Sequence, residues 1–129
     1  MSTKYLLDTS VLVLSLKQDT TIRKRLSATE VSYIPSIALG ELYYGAEHSV
    51  HVEKGLAEVD ELEKTMIIVS ADNTTAKVYG YIKHELRAKG LLIPDNDLWI
   101  AAIAIQHGLT LAARDQHFTR VAELSFEQW

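Results

Sequence analysis

The 129-residue sequence predicts an α/β fold built on a mainly parallel sheet. Two observations lead there. Short apolar runs alternate with helical stretches along the whole chain, which is the pattern of βαβ units. The runs themselves, Tyr5-Leu6-Leu7, Ile67-Ile68-Val69 and Leu109-Thr110-Leu111, are almost wholly apolar, as strands are when both faces are covered. Sites in such sheets form at the carboxyl ends of strands, near the point where strand order reverses.

The elements follow in order. Residues 4–7 read as a strand that opens into a helix over about 10–17. Asp19 or Thr20 can cap a second helix ending near Ser27. Residues 31–34 read as a strand stopped by Pro35, and Ser36 caps a helix to about residue 48. A further helix covers about 50–64, and 66–69 is a third strand. Residues 71–89 form a long helix closed by Gly90, a natural C-cap residue. Pro94 starts the next helix, which ends at Gly108; then come a strand at 109–113, a short helix at 116–121 and a last strand at 124–126. No linker or repeat divides the chain, so 1–129 reads as one domain.

Composition narrows the class. Apolar residues make up 47% and charged residues 23%, enough to bury a core and too much for a disordered chain. Six Gly and two Pro exclude a collagen-like fibre. The net charge of −4 argues against a broadly basic nucleic-acid coat, although an enzyme acting on nucleic acid can keep its positive charge local. There is no cysteine, so disulfides, thiolate nucleophiles and cysteine zinc sites are all excluded, and a reducing cytoplasm is the simplest home. Lys4 before an apolar-rich stretch mimics a secretory signal, but Asp8, Thr9 and Ser10 interrupt it and Lys17-Gln18-Asp19 follows it. No apolar run approaches the ~20 residues of a membrane span. The expected protein is soluble, unprocessed and free of any membrane.

Four acids stand where burial predicts apolar residues. Asp8 directly follows the first strand, and Asp115 follows the strand at 109–113 by one residue. Either could simply cap the next helix. Glu41 lies in a helical stripe with Ile37, Ala38, Leu42 and Gly45, where a carboxylate costs desolvation unless it is paired, binds a cation or reaches solvent at the stripe's edge. Asp97 opens the apolar segment Leu98-Trp99-Ile100-Ala101-Ala102-Ile103-Ala104-Ile105. It could be a first-turn acid favoured by the helix dipole, but Asp95 and Asn96 already offer capping. In a parallel sheet the four positions can converge on one cleft, where mutual repulsion would raise carboxyl pKa values. A hard divalent cation removes that conflict: Mg²⁺ takes oxygen ligands, often only one or two carboxylates, and keeps several waters. Such a site suits metal-assisted displacement at phosphorus.

The segments YLLDTSVLV, PSIALGELYYGAE and IPDNDLWIAAIAIQHGLTLAARDQHF, in this order, resemble a PIN domain of the VapC type, the toxins of type II toxin–antitoxin pairs. The resemblance covers essentially the whole chain. It implies a PIN-like three-layer α/β/α sandwich and a Mg²⁺- or Mn²⁺-dependent ribonuclease. The family's four acids fall onto Asp8, Glu41, Asp97 and Asp115, with Asp8 and Asp97 holding the metal directly and Glu41 and Asp115 completing the pocket directly or through water. Ser10 occupies the position that supports the first acid, and Asn96 lies beside Asp97 and can orient it. Ala113 departs from the Thr or Ser common after this strand, and Asp95 is an extra acid that is not expected to be a ligand. The resemblance also implies a homodimer and a cognate antitoxin whose tail wraps the cleft. The expected reaction is attack of water on an RNA phosphodiester, leaving a 5′-phosphate and a 3′-hydroxyl.

Positive charge is uneven. Lys77, Lys83, Arg87 and Lys89 stand against Glu85 on the long helix, where the bland reading, solvated cations complementing the dipole, is preferred for Lys77 and Lys83. Arg114, next to Asp115, is the best candidate for contact with RNA. The five histidines are scattered and read as solvated surface residues rather than a zinc site. Tyr43, Tyr44, Tyr79, Tyr81 and Trp99 could stack bases but read better as core or interface contacts. Two other readings compete. A phosphatase of the haloacid-dehalogenase type also begins with Asp after an apolar strand, but Ser10 stands where its second Asp belongs. A catalytically silent PIN-like module binding RNA or protein would have no need of all four acids.

Overall fold

The computed structural model describes residues 3–129; residues 1 and 2 of the expected 1–129 domain lie outside the described residues. The chain runs β1 (Tyr5–Leu7), α1 (Thr9–Leu16), α2 (Thr20–Ser27), β2 (Ser32–Pro35), α3 (Ser36–Glu47), α4 (Val52–Lys64), β3 (Ile67–Val69), α5 (Asn73–Ala88), α6 (Asp95–His107), β4 (Thr110–Ala113), a 3-10 turn (Gln116–Arg120) and β5 (Phe126–Gln128). The strands form one sheet in the order β3-β2-β1-β4-β5. Every pairing in it is parallel, which goes beyond the mainly parallel expectation.

The order positions the site. From β1 the chain steps outward to β2 and β3, then returns to place β4 on the other side of β1. Right-handed crossovers in opposite directions send α1–α4 to one face and α5 and α6 to the other, giving three layers. Neighbouring residues of a strand point to opposite faces, and Leu6 and Leu7 are both 0% exposed, so both faces are covered. Leu98, Ile100, Ala101, Ala102, Ile103 and Ala104 bury α6 nearly all round, as its apolar sequence requires.

Local chemistry explains most boundaries. Asp8, Asp19 and Asp72 cap α1, α2 and α5 through their side chains. Ser36, expected to cap α3, is instead its first residue; Pro35 holds the cap position without a side-chain bond and also closes β2 opposite Val69. A proline at the last strand position loses no essential donor, so β2 runs one residue further than the expected 31–34. β5 lies two residues later than expected, at Phe126–Gln128. Its polar Glu127 and Gln128 obscure it in the sequence, but an edge strand tolerates them, and Glu127 accepts a hydrogen bond from the Tyr5 hydroxyl at 2.8 Å. Gly108 closes α6 in the left-handed region at φ 64°, which lets the Leu109 N–H reach back to the Ala104 carbonyl at 2.9 Å.

Candidate active site

β1 delivers Asp8 to the reversal point of the sheet. Its backbone N–H donates to the Ala112 carbonyl at 3.0 Å, pinning it between β1 and β4. Its carboxylate is spoken for on one side only. Oδ2 accepts from the Ser10 hydroxyl at 2.7 Å and the Ser10 N–H at 3.3 Å, while Oδ1 is buried without a partner among the described residues. Ser10 is thus bonded to the acid it was expected to support. Glu41, half-buried on α3, accepts from the Thr9 hydroxyl at 3.0 Å, so one turn of α1 grips both acids.

Asp97 is the third residue of α6, which starts at Asp95, one residue after the expected Pro94. Its carboxyl is pushed from the ordinary 3.8 up to about 6. Burial contributes most, the Asp8 charge next, and Glu41 adds to it, while His117 pulls the other way. Asp8, Glu41 and Asp97 therefore share one electrostatic environment. Asp115 caps the 3-10 turn, accepting from the His117 N–H at 2.9 Å, and its side chain remains 59% exposed at the rim.

His117 is a site residue that the sequence reading missed. Expected to be solvated, its side chain is only 16% exposed, with Nε2 2.8 Å from Asp97 Oδ2 and Nδ1 3.0 Å from Asp115 Oδ2. The Nε2 contact is close but not aligned as a hydrogen bond. The available signal was its spacing: two residues beyond a capping acid in a tight turn, a side chain folds back toward that acid. Thr9 was missed for a different reason, since its role exists only across 32 residues of sequence.

Other expected residues sit differently. Asn96 is exposed, and among the described residues no hydrogen bond joins it to Asp97. One guanidinium nitrogen of the exposed Arg114 donates to the main-chain oxygen of Trp129 at 2.9 Å. Lys83 is not merely solvated; it pairs with Asp95 at 3.1 Å. Of the aromatics, Tyr44 and Tyr81 are 68% and 57% exposed, outside the core. A groove of about 1110 Å³ lies between the end of α1, α2 and α4, and none of the four acids lines it.

Among the described residues no three acidic or imidazole groups close on one point as a finished metal cage. The donor chemistry nonetheless fits a hard cation. A buried carboxylate oxygen on Asp8 without a partner among the described residues, and an Asp97 carboxyl driven upward by burial and by its neighbour's charge, are both relieved by a cation bound to oxygen.

The PIN domain profile matches residues 5–124. The chain belongs to the PIN domain family. Its VapC-type character is plain in its relatives: it is 35% identical to Ribonuclease VapC2 of Haemophilus influenzae, with 98% of each chain covered. It is 33% identical to the tRNA(fMet)-specific endonuclease VapC of Salmonella typhimurium, again with 98% of each covered. Among solved structures, VapBC from Salmonella typhimurium bound to DNA matches at TM-score 0.93 and 32% identity, with 98% of each chain covered. VapBC2 from Rickettsia felis, bound to a DNA fragment from its promoter, matches at TM-score 0.92 and 30% identity with the same coverage. The all-parallel α/β sandwich is the PIN fold of these VapC structures. Among the described residues no helix is long and apolar enough to cross a membrane.

Proposed function

We propose that this PIN-domain protein is a cytoplasmic, divalent-cation-dependent endoribonuclease and the toxin of a toxin–antitoxin pair. The observation that carries the reading is Asp97: a carboxyl raised to about 6 by burial and by the charges of Asp8 and Glu41, in a cleft where Asp8 Oδ1 lies buried without a partner among the described residues. That is a cluster whose charge asks for a cation.

Asp8 and Asp97 would hold Mg²⁺ or Mn²⁺, with Glu41 and Asp115 completing the pocket directly or through water. Bound there, the ion would supply neutralisation of the phosphate's developing charge and a lower pKa for the attacking water. The protein's own part is positional. Ser10 fixes the Asp8 carboxylate, Thr9 fixes Glu41, and His117 draws Asp97 and Asp115 together at the mouth. The reaction breaks the P–O3′ bond of an RNA phosphodiester and leaves a 5′-phosphate and a 3′-hydroxyl.

The partners follow from the same reading: RNA as substrate, an antitoxin protein as in the VapBC assemblies of its relatives, and a second copy of the chain. Purified protein incubated with an RNA pool and Mn²⁺ or Mg²⁺ should generate 5′-phosphorylated ends, and Asp8→Asn should not. Full cleavage by folded Asp8→Asn, or none by wild type at millimolar Mn²⁺, would overturn the reading.

A further inference from the structure

Apart from its contact with His117, Asp97 gets no help in orientation from a side-chain cap of its own helix. α1, α2, α5 and the 3-10 turn each begin with an aspartate whose side chain caps the first turn. α6 begins at Pro94, with no side-chain cap. What grips its first turn comes from α5. Asp95 Oδ1 accepts from the Tyr79 hydroxyl at 2.5 Å and from Lys83 Nζ at 3.1 Å, and Lys83 Nζ also donates to the Tyr79 hydroxyl at 2.9 Å. Four residues further along α6, Trp99 stacks on the Tyr79 ring, with centroids 3.9 Å apart and planes 10° apart.

The spacing gives this grip its meaning. Residues advance about 100° each around a helix, so Asp95 and Trp99 face the same side, while Asp97 points about 200° away from Asp95. α5 therefore holds α6 by the face opposite its acid. With side-chain atoms roughly 5–6 Å from the helix axis, a 10° rotation of α6 would swing the Asp97 carboxylate by about 1 Å. Misplacement on that scale in an active site can cost roughly 100-fold in rate.

We infer that Tyr79, acting with Lys83 on Asp95 and with its ring on Trp99, is a positioning residue that sets the rotation of α6 and so aims Asp97 into the cleft. This rests on the reading of Asp97 as an active-site acid. Tyr79 touches none of the four acids of the cleft, and its effect is carried through α6.

Tyr79→Phe keeps the ring stack and removes the hydroxyl; Tyr79→Leu removes both. The Asp97 ¹³Cγ and backbone amide signals of the metal-free protein should move in Tyr79→Phe and further in Tyr79→Leu, and by more than those of Asp8. In Mn²⁺-dependent RNA cleavage, Tyr79→Phe should lower kcat roughly 10-fold, the scale of outer-shell partners, with KM for RNA unchanged. Asp95→Asn keeps an acceptor for Tyr79 and loses the Lys83 charge pair, so it should fall between wild type and Tyr79→Phe. Unmoved Asp97 signals in Tyr79→Phe, or a loss of thermal stability with wild-type kcat, would overturn the inference. If wild type cleaves no RNA, the functional reading fails while the Asp97 signals still decide this one.

Discussion

Two acids at two helix starts face the same cleft, and the chain treats them oppositely. Asp8 sits at the cap of α1, with its backbone tied to β4 and one carboxylate oxygen held twice by Ser10. Asp97 sits inside the first turn of an uncapped helix, takes no hydrogen bond from its own helix and has its pKa raised to about 6. Asp8 is built into the fold; Asp97 is a charge the fold accommodates at a cost. A residue can cap a helix and still carry an orphaned buried oxygen, as Asp8 does among the described residues. One that costs stability and sits against another acid reads as functional, because structure alone gives no reason to keep it.

The sharpest break is between activity and stability. Asp8→Asn and Asp97→Asn should each lower Mn²⁺-dependent cleavage by more than about 100-fold, beyond what outer-shell partners supply. Their effects on the metal-free fold should differ. Asparagine remains a good cap at position 8 and relieves part of the repulsion on Asp97, so Asp8→Asn should raise the melting temperature by less than Asp97→Asn does. Asp97→Asn should raise it, because a buried charge is gone; the gain at pH 7 is up to about 3 kcal/mol, discounted for the 22% of the side chain that solvent reaches.

The pH dependence carries the sign. The folded pKa of Asp97, about 6, lies above the ordinary 3.8, so the folded state binds the extra proton between those values. Wild-type stability from this group is therefore fully present below about 3.8 and is lost as pH rises through about 6. The advantage of Asp97→Asn should appear across that window and vanish at pH 3.5, as denaturant melts at several pH values would record. Asp8→Asn should lower the Asp97 midpoint in an NMR titration, since it removes the neighbouring charge. An unmoved midpoint would mean that the Asp8 charge contributes nothing to the shift.

What was legible in the sequence divides along the same line. Asp8 was readable because its signal is local: an apolar strand, then Asp-Thr-Ser. Gly108, the buried α6 and the parallel strand cores were readable for the same reason, as each is written in a few neighbouring residues. Asp97 was readable only as a surplus acid, because its raised pKa comes first from burial and then from Asp8 and Glu41, all of them set by the fold rather than by neighbouring sequence. His117 offered only its spacing from the capping Asp115 as a signal, since its placement depends on where a five-residue turn lays its side chain. β5 was displaced because an edge strand can be polar, and nothing local reveals that the Trp129 main chain returns beside Arg114.

Ser10→Ala tests how far Asp8 depends on its hydrogen bonds. It removes the 2.7 Å hydroxyl bond and leaves the weaker 3.3 Å N–H contact. The expected cost is about 1 kcal/mol in stability, with cleavage reduced roughly 10-fold. A variant that loses the stability at full activity would show that the hydroxyl serves the cap alone.

The smallest effect comes from the far end of α1 and guards the whole comparison. Gln18 closes that helix at φ 62°, the left-handed region that favours glycine. The Asp19 N–H bonds the Leu14 carbonyl and the Gln18 N–H bonds the Ser15 carbonyl, both at 3.0 Å, so the turn is a well-formed helix stop carrying the wrong residue. Gly90 and Gly108, at φ 69° and 64°, close α5 and α6 in the same region. Gln18→Gly should therefore stabilise the protein by roughly 0.5–1 kcal/mol, the steric relief exceeding the added entropy of the unfolded chain. Its cleavage rate and Mn²⁺ response should match wild type. If that modest gain far from the cleft also reduced activity, the stability gained and activity lost in Asp97→Asn could no longer be assigned to its charge, since stiffening the fold would suffice.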